Sequence, residues 1–242
     1  MTSLFQTDTI EFANGNKARF LRTSASADVN DIISVLDLSH CKSILIINGR
    51  TSELDSQAEN RLKDIFKHLA KFIHQESITV VTGGSNAGLF QLFGQAIGQA
   101  GGPEAPLVGV TVSGLAGIHR LEPHHTHFIL VEGNEWGDET SIMYNLVSVL
   151  ANFRPCLALF AGGGKITLLE MLQNVSQNRE MILVEGIGGI TEAIIDAKRD
   201  AKYLNPTAEK ILKKGKITVF PTEQPAADLV NILHRILSPA AK

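Results

Sequence analysis

The chain is predicted to be an α/β protein built on a doubly wound, mainly parallel sheet with helices on both faces. Three observations carry that prediction. From residue 43 onward, short β-rich apolar runs alternate with longer stretches of helical periodicity. Glycines sit where the runs end. Runs such as Ile44-Leu45-Ile46-Ile47 are apolar at every position, which suits strands covered on both sides rather than on one. Strand–helix alternation with strands of this kind is the pattern of a Rossmann-like sheet.

Taken in order, the first 40 residues read as a small piece of their own. Ile10-Glu11-Phe12 and Ala18-Arg19-Phe20-Leu21 flank Asn14-Gly15, a strong short-range hairpin signal. Asp28 is placed to cap a helix whose inner face carries Val29, Ile32, Ile33 and Leu36. No Pro/Ser-rich linker follows, so residues 1–242 are expected to form a single domain with this hairpin and helix packed on it. The strand runs are then 43–48, 78–82, 107–113, 127–131, 156–160, 181–184 and 217–220. A helix over 53–74 places Leu54, Ala58, Leu62, Ile65, Phe66, Leu69 and Ile73 on one stripe. Further helices are predicted over 87–99, 138–152, 167–177 and 189–198, with two more near the C-terminus. No fixed-period repeat and no low-complexity tract interrupts this order.

Composition narrows the function classes. Of 242 residues, 44% are hydrophobic and 19% charged, which argues against disorder. The balance of 22 Lys+Arg against 25 Asp+Glu gives net −3, so no basic field points to nucleic acid. No apolar run reaches the ~18 residues of a membrane span. The start, MTSLFQTDTIEF, lacks the features of a signal peptide. Two cysteines, Cys41 and Cys156, fit a reducing compartment, so a cytoplasmic protein is expected.

In such sheets the ligand lies beyond the carboxyl ends of the strands, so the loops there are the ones to search. Thr82-Gly83-Gly84-Ser85-Asn86-Ala87-Gly88 follows a strand and opens into a helix. Glycines allow close backbone approach, and free amides at a helix start attract phosphate; a tight turn with no ligand is the plainer account. Phe160-Ala161-Gly162-Gly163-Gly164-Lys165-Ile166-Thr167-Leu168-Leu169-Glu170 is a second such loop. Thr167 and Glu170 stand at capping-box offset, or else serve a phosphate oxygen and a sugar. The Walker A spacing is absent. A third cluster, Leu121 to Gly133, with His119 nearby, holds His124, His125 and His127. His125 and His127 would share one face of a strand, so a metal site is weighed against hydrogen bonds at a strand entry; the expectation is no metal and no cofactor.

Together, the TGGSNAG loop, the LEPHHTHFILVEG segment with Trp136-Gly137-Asp138-Glu139, and the GGGKITLLE loop resemble the SLOG superfamily, and more closely its prokaryotic branch akin to the N-terminal cytosolic domain of TRPM channels. The resemblance runs from about residue 43 to 185. It implies binding of nucleotides or nucleotide-derived signals such as ADP-ribose and its cyclic forms. Some relatives are enzymes: the LOG or "lysine decarboxylase-like" phosphoribohydrolases carry a PGGxGTxxE loop whose glutamate assists N-glycosidic cleavage. On that pattern Gly162 replaces the proline, Gly163, Gly164, Thr167 and Glu170 match, and Ile166 replaces the third glycine. The enzymes also carry an Arg-Lys pair on the preceding helix, where this chain has neither between Asp138 and Leu150.

The leading expectation is therefore a sensor of ADP-ribose or a related adenine nucleotide, acting in signalling or in stress and defence. Phosphate contacts are assigned to Arg50, Asn86, Lys165 and Thr167, with Gly49, Thr82, Gly83, Gly84, Ser85, Gly162, Gly163 and Gly164 as further ligand-binding positions of the same loops. Ribose or base contacts fall to Glu132, Trp136 and Glu170, although Trp136 equally suits core packing and Glu132 a solvated strand end. Replacing Gly84 or Gly163 by Val is expected to weaken binding more than folding. The competing expectation is an enzyme, a nucleoside 5′-monophosphate phosphoribohydrolase or an ADP-ribose-processing hydrolase, with Glu170 catalytic. A third is a structural relic of the fold. A homo-oligomer is expected, with a separate effector protein a possible partner.

Overall fold

The computed structural model describes residues 7–238, so the reading of the amino terminus bears in part on residues outside that range. Within it the chain opens with a hairpin, β1 (Thr7–Glu11) and β2 (Lys17–Thr23), closed at Asn14-Gly15, where Gly15 adopts φ +84°. Helix α1 (Val29–Leu36) is capped by Asp28, whose carboxylate accepts the Asn30 amide at 2.8 Å; Val29, Ile32, Ile33 and Leu36 are buried. Then follow β3 (Ile44–Gly49), α2 (Ser56–Glu76), β4 (Thr79–Thr82), α3 (Gly88–Gln99) and β5 (Leu107–Val112). A short 3₁₀ turn, Ile118–Arg120, leads to β6 (His127–Val131), α4 (Thr140–Leu150), β7 (Cys156–Ala161), α5 (Lys165–Ser176), β8 (Glu180–Glu185) and α6 (Gly189–Asp200). The described chain closes with α7 (Pro206–Lys214), β9 (Lys216–Pro221) and α8 (Ala226–Leu237).

The strands form one nine-stranded sheet in the order β1-β2-β6-β5-β4-β3-β7-β8-β9. Every pairing is parallel except the hairpin's own. The hairpin does more than pack on the sheet: β2 pairs with β6, Arg19 opposite His127 and Thr23 opposite Val131, so the N-terminal segment extends the sheet by two strands.

Strands β3, β4, β5, β7 and β8 are buried over most of their length, which is why they read as unbroken apolar runs. One face packs Ile44, Ile46, Val108 and Phe160 under α1, α4, α5, α6 and α7. The other packs Leu45, Ile47, Leu157 and Leu159 under α2, α3 and α8. The order in which strands are added reverses between β3 and β7: β4, β5 and β6 lie to one side of β3, and β7, β8 and β9 to the other. A crevice therefore opens beyond Gly49 and Ala161, where the crossovers on either side diverge.

Candidate functional site

That crevice holds a cavity of about 990 Å³. Arg50 is its keystone. The Arg50 amide donates to Ala161 O at 3.0 Å, its carbonyl accepts the Leu89 amide of α3 at 2.9 Å, and its Nε donates to Ser52 Oγ at 2.8 Å. A Cβ on Gly88 would lie 2.5 Å from the Arg50 carbonyl, so the glycine there serves a close backbone crossing. Arg50 thus ties the end of β3 to the end of β7 and to the start of α3.

Among the helices that begin at the cavity without a side-chain cap, α3 behind Ala87 and α5 behind Gly164 open directly from the two glycine loops. Their first-turn amides carry the positive end of the helix dipole and have no intrahelical acceptor; apart from Leu89 N, which Arg50 O takes, they suit an anion. The second glycine loop is braced from behind by α6. Ile190 N donates to Gly163 O at 3.0 Å, and Thr191 Oγ1 donates to Gly162 O at 2.6 Å. The loop's carbonyls therefore occupy the start of α6 and leave that of α5 to the cavity. The expected capping box is absent. Helix α5 starts at Lys165, so Thr167 and Glu170 lie inside it, both buried, and neither caps it.

Three cations line the cavity, Arg50, Arg120 and Lys165, together with two carboxyls, Glu139 and Glu170. Burial, and then the neighbouring Glu139, push the Glu170 carboxyl up to about 8, so it holds its proton at neutral pH. Burial also raises Glu139, against the opposing effect of backbone amides; its Oε2 accepts the Gly137 amide at 2.8 Å. Asp138 Oδ2 accepts the amides of Asn134 at 2.9 Å and Glu135 at 3.1 Å. These two carboxylates hold a turn with Trp136 at its apex, 47% exposed and against the cavity. Trp136 is therefore not core packing. With Phe90, Ala116 and Ile166 it forms the apolar part of the wall.

The structure brings Gly49, Arg50, Gly83, Ser85, Asn86, Trp136, Gly163, Gly164, Lys165, Thr167 and Glu170 to this one wall. Four other expected residues do not line it. Thr82 is buried behind the loop, and Gly84 packs against Gly109 and Phe128. Gly162 packs on Arg50 and Ile187, and Glu132 is exposed. Sequence reasoning missed Arg120 and Glu139 as members of the site. Arg120 arrives through a bridge between Leu121 and Ser85, a pairing that no local pattern announces. Glu139 had a signal, its place beside Trp136-Gly137-Asp138.

The histidines divide. His119 reaches the cavity wall. His124 and His125 both bond Glu122. His125 and His127 do not share a face: His125 precedes β6 and packs on Phe128, ring centroids 5.3 Å apart, whereas His127 opens the strand on the face of Ile129 and Val131. Burial, and then the charge of Arg19, push His127 down to about 4. Among the described residues no three His, Cys, Asp or Glu side chains gather into a group that could hold a metal ion, and no helix is long and apolar enough to cross a membrane.

Comparison with curated proteins returns no match to the chain. A family model described as "SLOG in TRPM, prokaryote" matches residues 42–231, a span that contains β3 to β9 and every residue of the cavity wall. Membership in that family supports a domain that binds or processes a nucleotide-related ligand. A match over that share of the length, on a mostly parallel α/β sheet, establishes that the chain belongs to the prokaryotic family of SLOG domains of the TRPM type.

Proposed function

We propose that the chain binds an adenine-nucleotide-derived compound with linked phosphates, ADP-ribose or a close relative, and senses it without turning it over. One observation carries the reading: a single cavity at the sheet's switch point collects the uncapped starts of α3 and α5 and three cations beside an apolar wall headed by Trp136. Paired phosphates suit the amides of α3 and α5 with Arg50, Arg120 and Lys165. A base suits the exposed indole. At about 990 Å³ the cavity lies at the upper end of the usual ~300–1,000 Å³ for small-molecule sites, roomier than a mononucleotide needs.

The test is a thermal-shift series with ADP-ribose, cyclic ADP-ribose, AMP, ADP, ATP and NAD, followed by chromatography of the incubated compounds. A ligand at 100 times its Kd adds about 2.7 kcal/mol, a visible shift. Stabilisation with the ligand recovered intact is expected. An unchanged melting temperature across the series would remove nucleotide binding from the account.

A second reading is favoured by Glu170. A carboxyl pushed up to about 8 beside a second carboxyl can act as a general acid. In N-glycosidic cleavage the departing base would take the Glu170 proton as the C–N bond breaks. Water would add to the anomeric carbon and give its proton to Glu139. Against this stands α4, which carries no basic residue in its last turn or elsewhere to clamp a 5′-phosphate. AMP and isopentenyl-AMP should therefore survive incubation with micromolar protein. Release of adenine by the wild type, lost in Glu170→Gln, would replace the sensor by the enzyme.

A further inference from the structure

We propose that Glu122, His125 and Thr82, none of which lines the cavity, are positioning residues that set the shape of the loop at residues 83–86 through a directed chain of hydrogen bonds. The link to affinity rests on the ligand-binding reading above; the effect on the loop does not.

The chain starts at a buried carboxylate. Glu122 is 1% exposed, and its oxygens are fully engaged. Oε1 accepts from His124 Nδ1 at 2.7 Å; Oε2 accepts from His125 Nδ1 at 2.8 Å and from the His124 amide at 2.9 Å. Burial alone would raise this carboxyl, but the bonds from the two histidines outweigh it and hold Glu122 below its usual range. A carboxylate can only accept, so His125 Nδ1 carries the hydrogen. In the neutral ring His125 Nε2, 2.8 Å from Thr82 Oγ1, is left as an acceptor, and the Thr82 hydroxyl gives it its one proton. Having given that proton, Thr82 Oγ1 can only accept, and the donor it faces is the Gly84 amide at 2.9 Å. Each donor in the series has one acceptor, so reversing any link leaves a buried group unpaired.

The same segment holds the loop from its other side. Glu122 N donates to Gly84 O at 2.9 Å, Asn86 N donates to Arg120 O at 2.7 Å, and Ser85 bridges Leu121. It is also registered against α3. A Cβ on Gly94 would overlap the Glu122 carboxyl, and one on Gly98 would lie 2.5 Å from the His124 ring. Two glycines one turn apart on α3 thus form a seat for the carboxylate and its histidine. One buried charge therefore sets the glycine loop, the helix that opens from it, and the backbone that delivers Arg120 to the cavity.

The full chain, labelled with ¹⁵N, gives the first test. The imidazole spectrum at neutral pH should show His125 as the neutral Nδ1–H tautomer; the Nε2–H tautomer or the doubly protonated ring would overturn the proposal. Thr82→Val keeps the shape and removes the hydroxyl. The Gly84 amide should then exchange with solvent about tenfold faster and the Kd for ADP-ribose rise about tenfold, the size of one net hydrogen bond. Thr82→Ser should restore both, which a purely volumetric role would not predict. Unchanged Gly84 exchange in Thr82→Val overturns the proposal, and faster exchange with unchanged affinity overturns its link to the cavity. Should the Val variant not fold, Gly94→Ala, which displaces the carboxylate, is expected to accelerate Gly84 exchange in its place, and an unchanged rate there overturns the proposal. If wild type binds no ADP-ribose, the ligand reading fails, while tautomer and exchange still decide the loop.

Discussion

Glu170 illustrates how a single side chain takes its chemistry from its surroundings. As part of a motif it looked like a cap or a sugar contact, and in the fold it is a buried acid facing a cavity, pushed from 4.5 up to about 8. The unfolded chain releases this proton near pH 4.5, whereas the folded chain keeps it until about 8. Its contribution to stability is therefore fully present below 4.5 and is lost as pH rises through 8. Glu170→Gln should remove that loss, which amounts to at most about 1.4 kcal/mol per pH unit inside the window. Denaturant unfolding at pH 5 and pH 8.5 checks it: the variant should gain on wild type at the higher pH. Equal differences at both would mean that Glu170 is ionised in the folded protein.

At the scale of elements, the two glycine loops separate residues that serve the backbone from residues that serve the cavity. Gly84, at φ +68°, would place a Cβ 2.8 Å from Gly109 Cα, and Gly163, at φ +84°, would drive one into Thr167. Val at either position therefore carries a folding cost of its own, beside the expected loss of binding. Both substitutions strain the backbone, by roughly 1–3 kcal/mol each, before any ligand is considered. Gly164 differs: its φ is negative, at −139°, and nothing lies within 4 Å of its added Cβ. Gly164→Val is expected to keep the circular dichroism and melting temperature of wild type and to weaken ADP-ribose binding at least tenfold by titration calorimetry. Undiminished affinity in that variant would move the phosphates away from α5.

For the whole molecule, the cavity belongs to neither half of the sheet. Its wall draws Gly83, Ser85, Asn86, Ala87 and Phe90 from the β4 side and Gly163, Gly164, Lys165, Ile166, Thr167 and Glu170 from the β7 side, joined through Arg50. A ligand that engages both helix starts should slow amide exchange in both segments together. Hydrogen exchange with saturating ADP-ribose checks this, and protection confined to one segment would show that only half of the cavity is used.

Much of the architecture was legible because it is written locally. Seven apolar runs, their intervening helical stripes, the Asn14-Gly15 turn and the Asp28 cap are set by neighbours a few residues apart, and each appears where periodicity and turn chemistry put it. The glycine loops were equally visible, because a strand ending in glycine and opening a helix is a local pattern. What the chain order could not show is what crosses it. The start of α5 at Lys165 rather than Thr167 follows from Gly163 being held by α6, which lies more than twenty residues further on. Arg120 enters the cavity because Leu121 bridges Ser85, and the histidines divide because a carboxylate is seated on glycines of α3. The protonation of Glu170 depends on burial and on Glu139, thirty-one positions earlier, brought beside it only when α4 and α5 pack on the same face of the sheet. Periodicity reports which face of an element is covered; the electrostatics of a site depend on which groups from distant elements share its low-dielectric volume, and packing alone decides that.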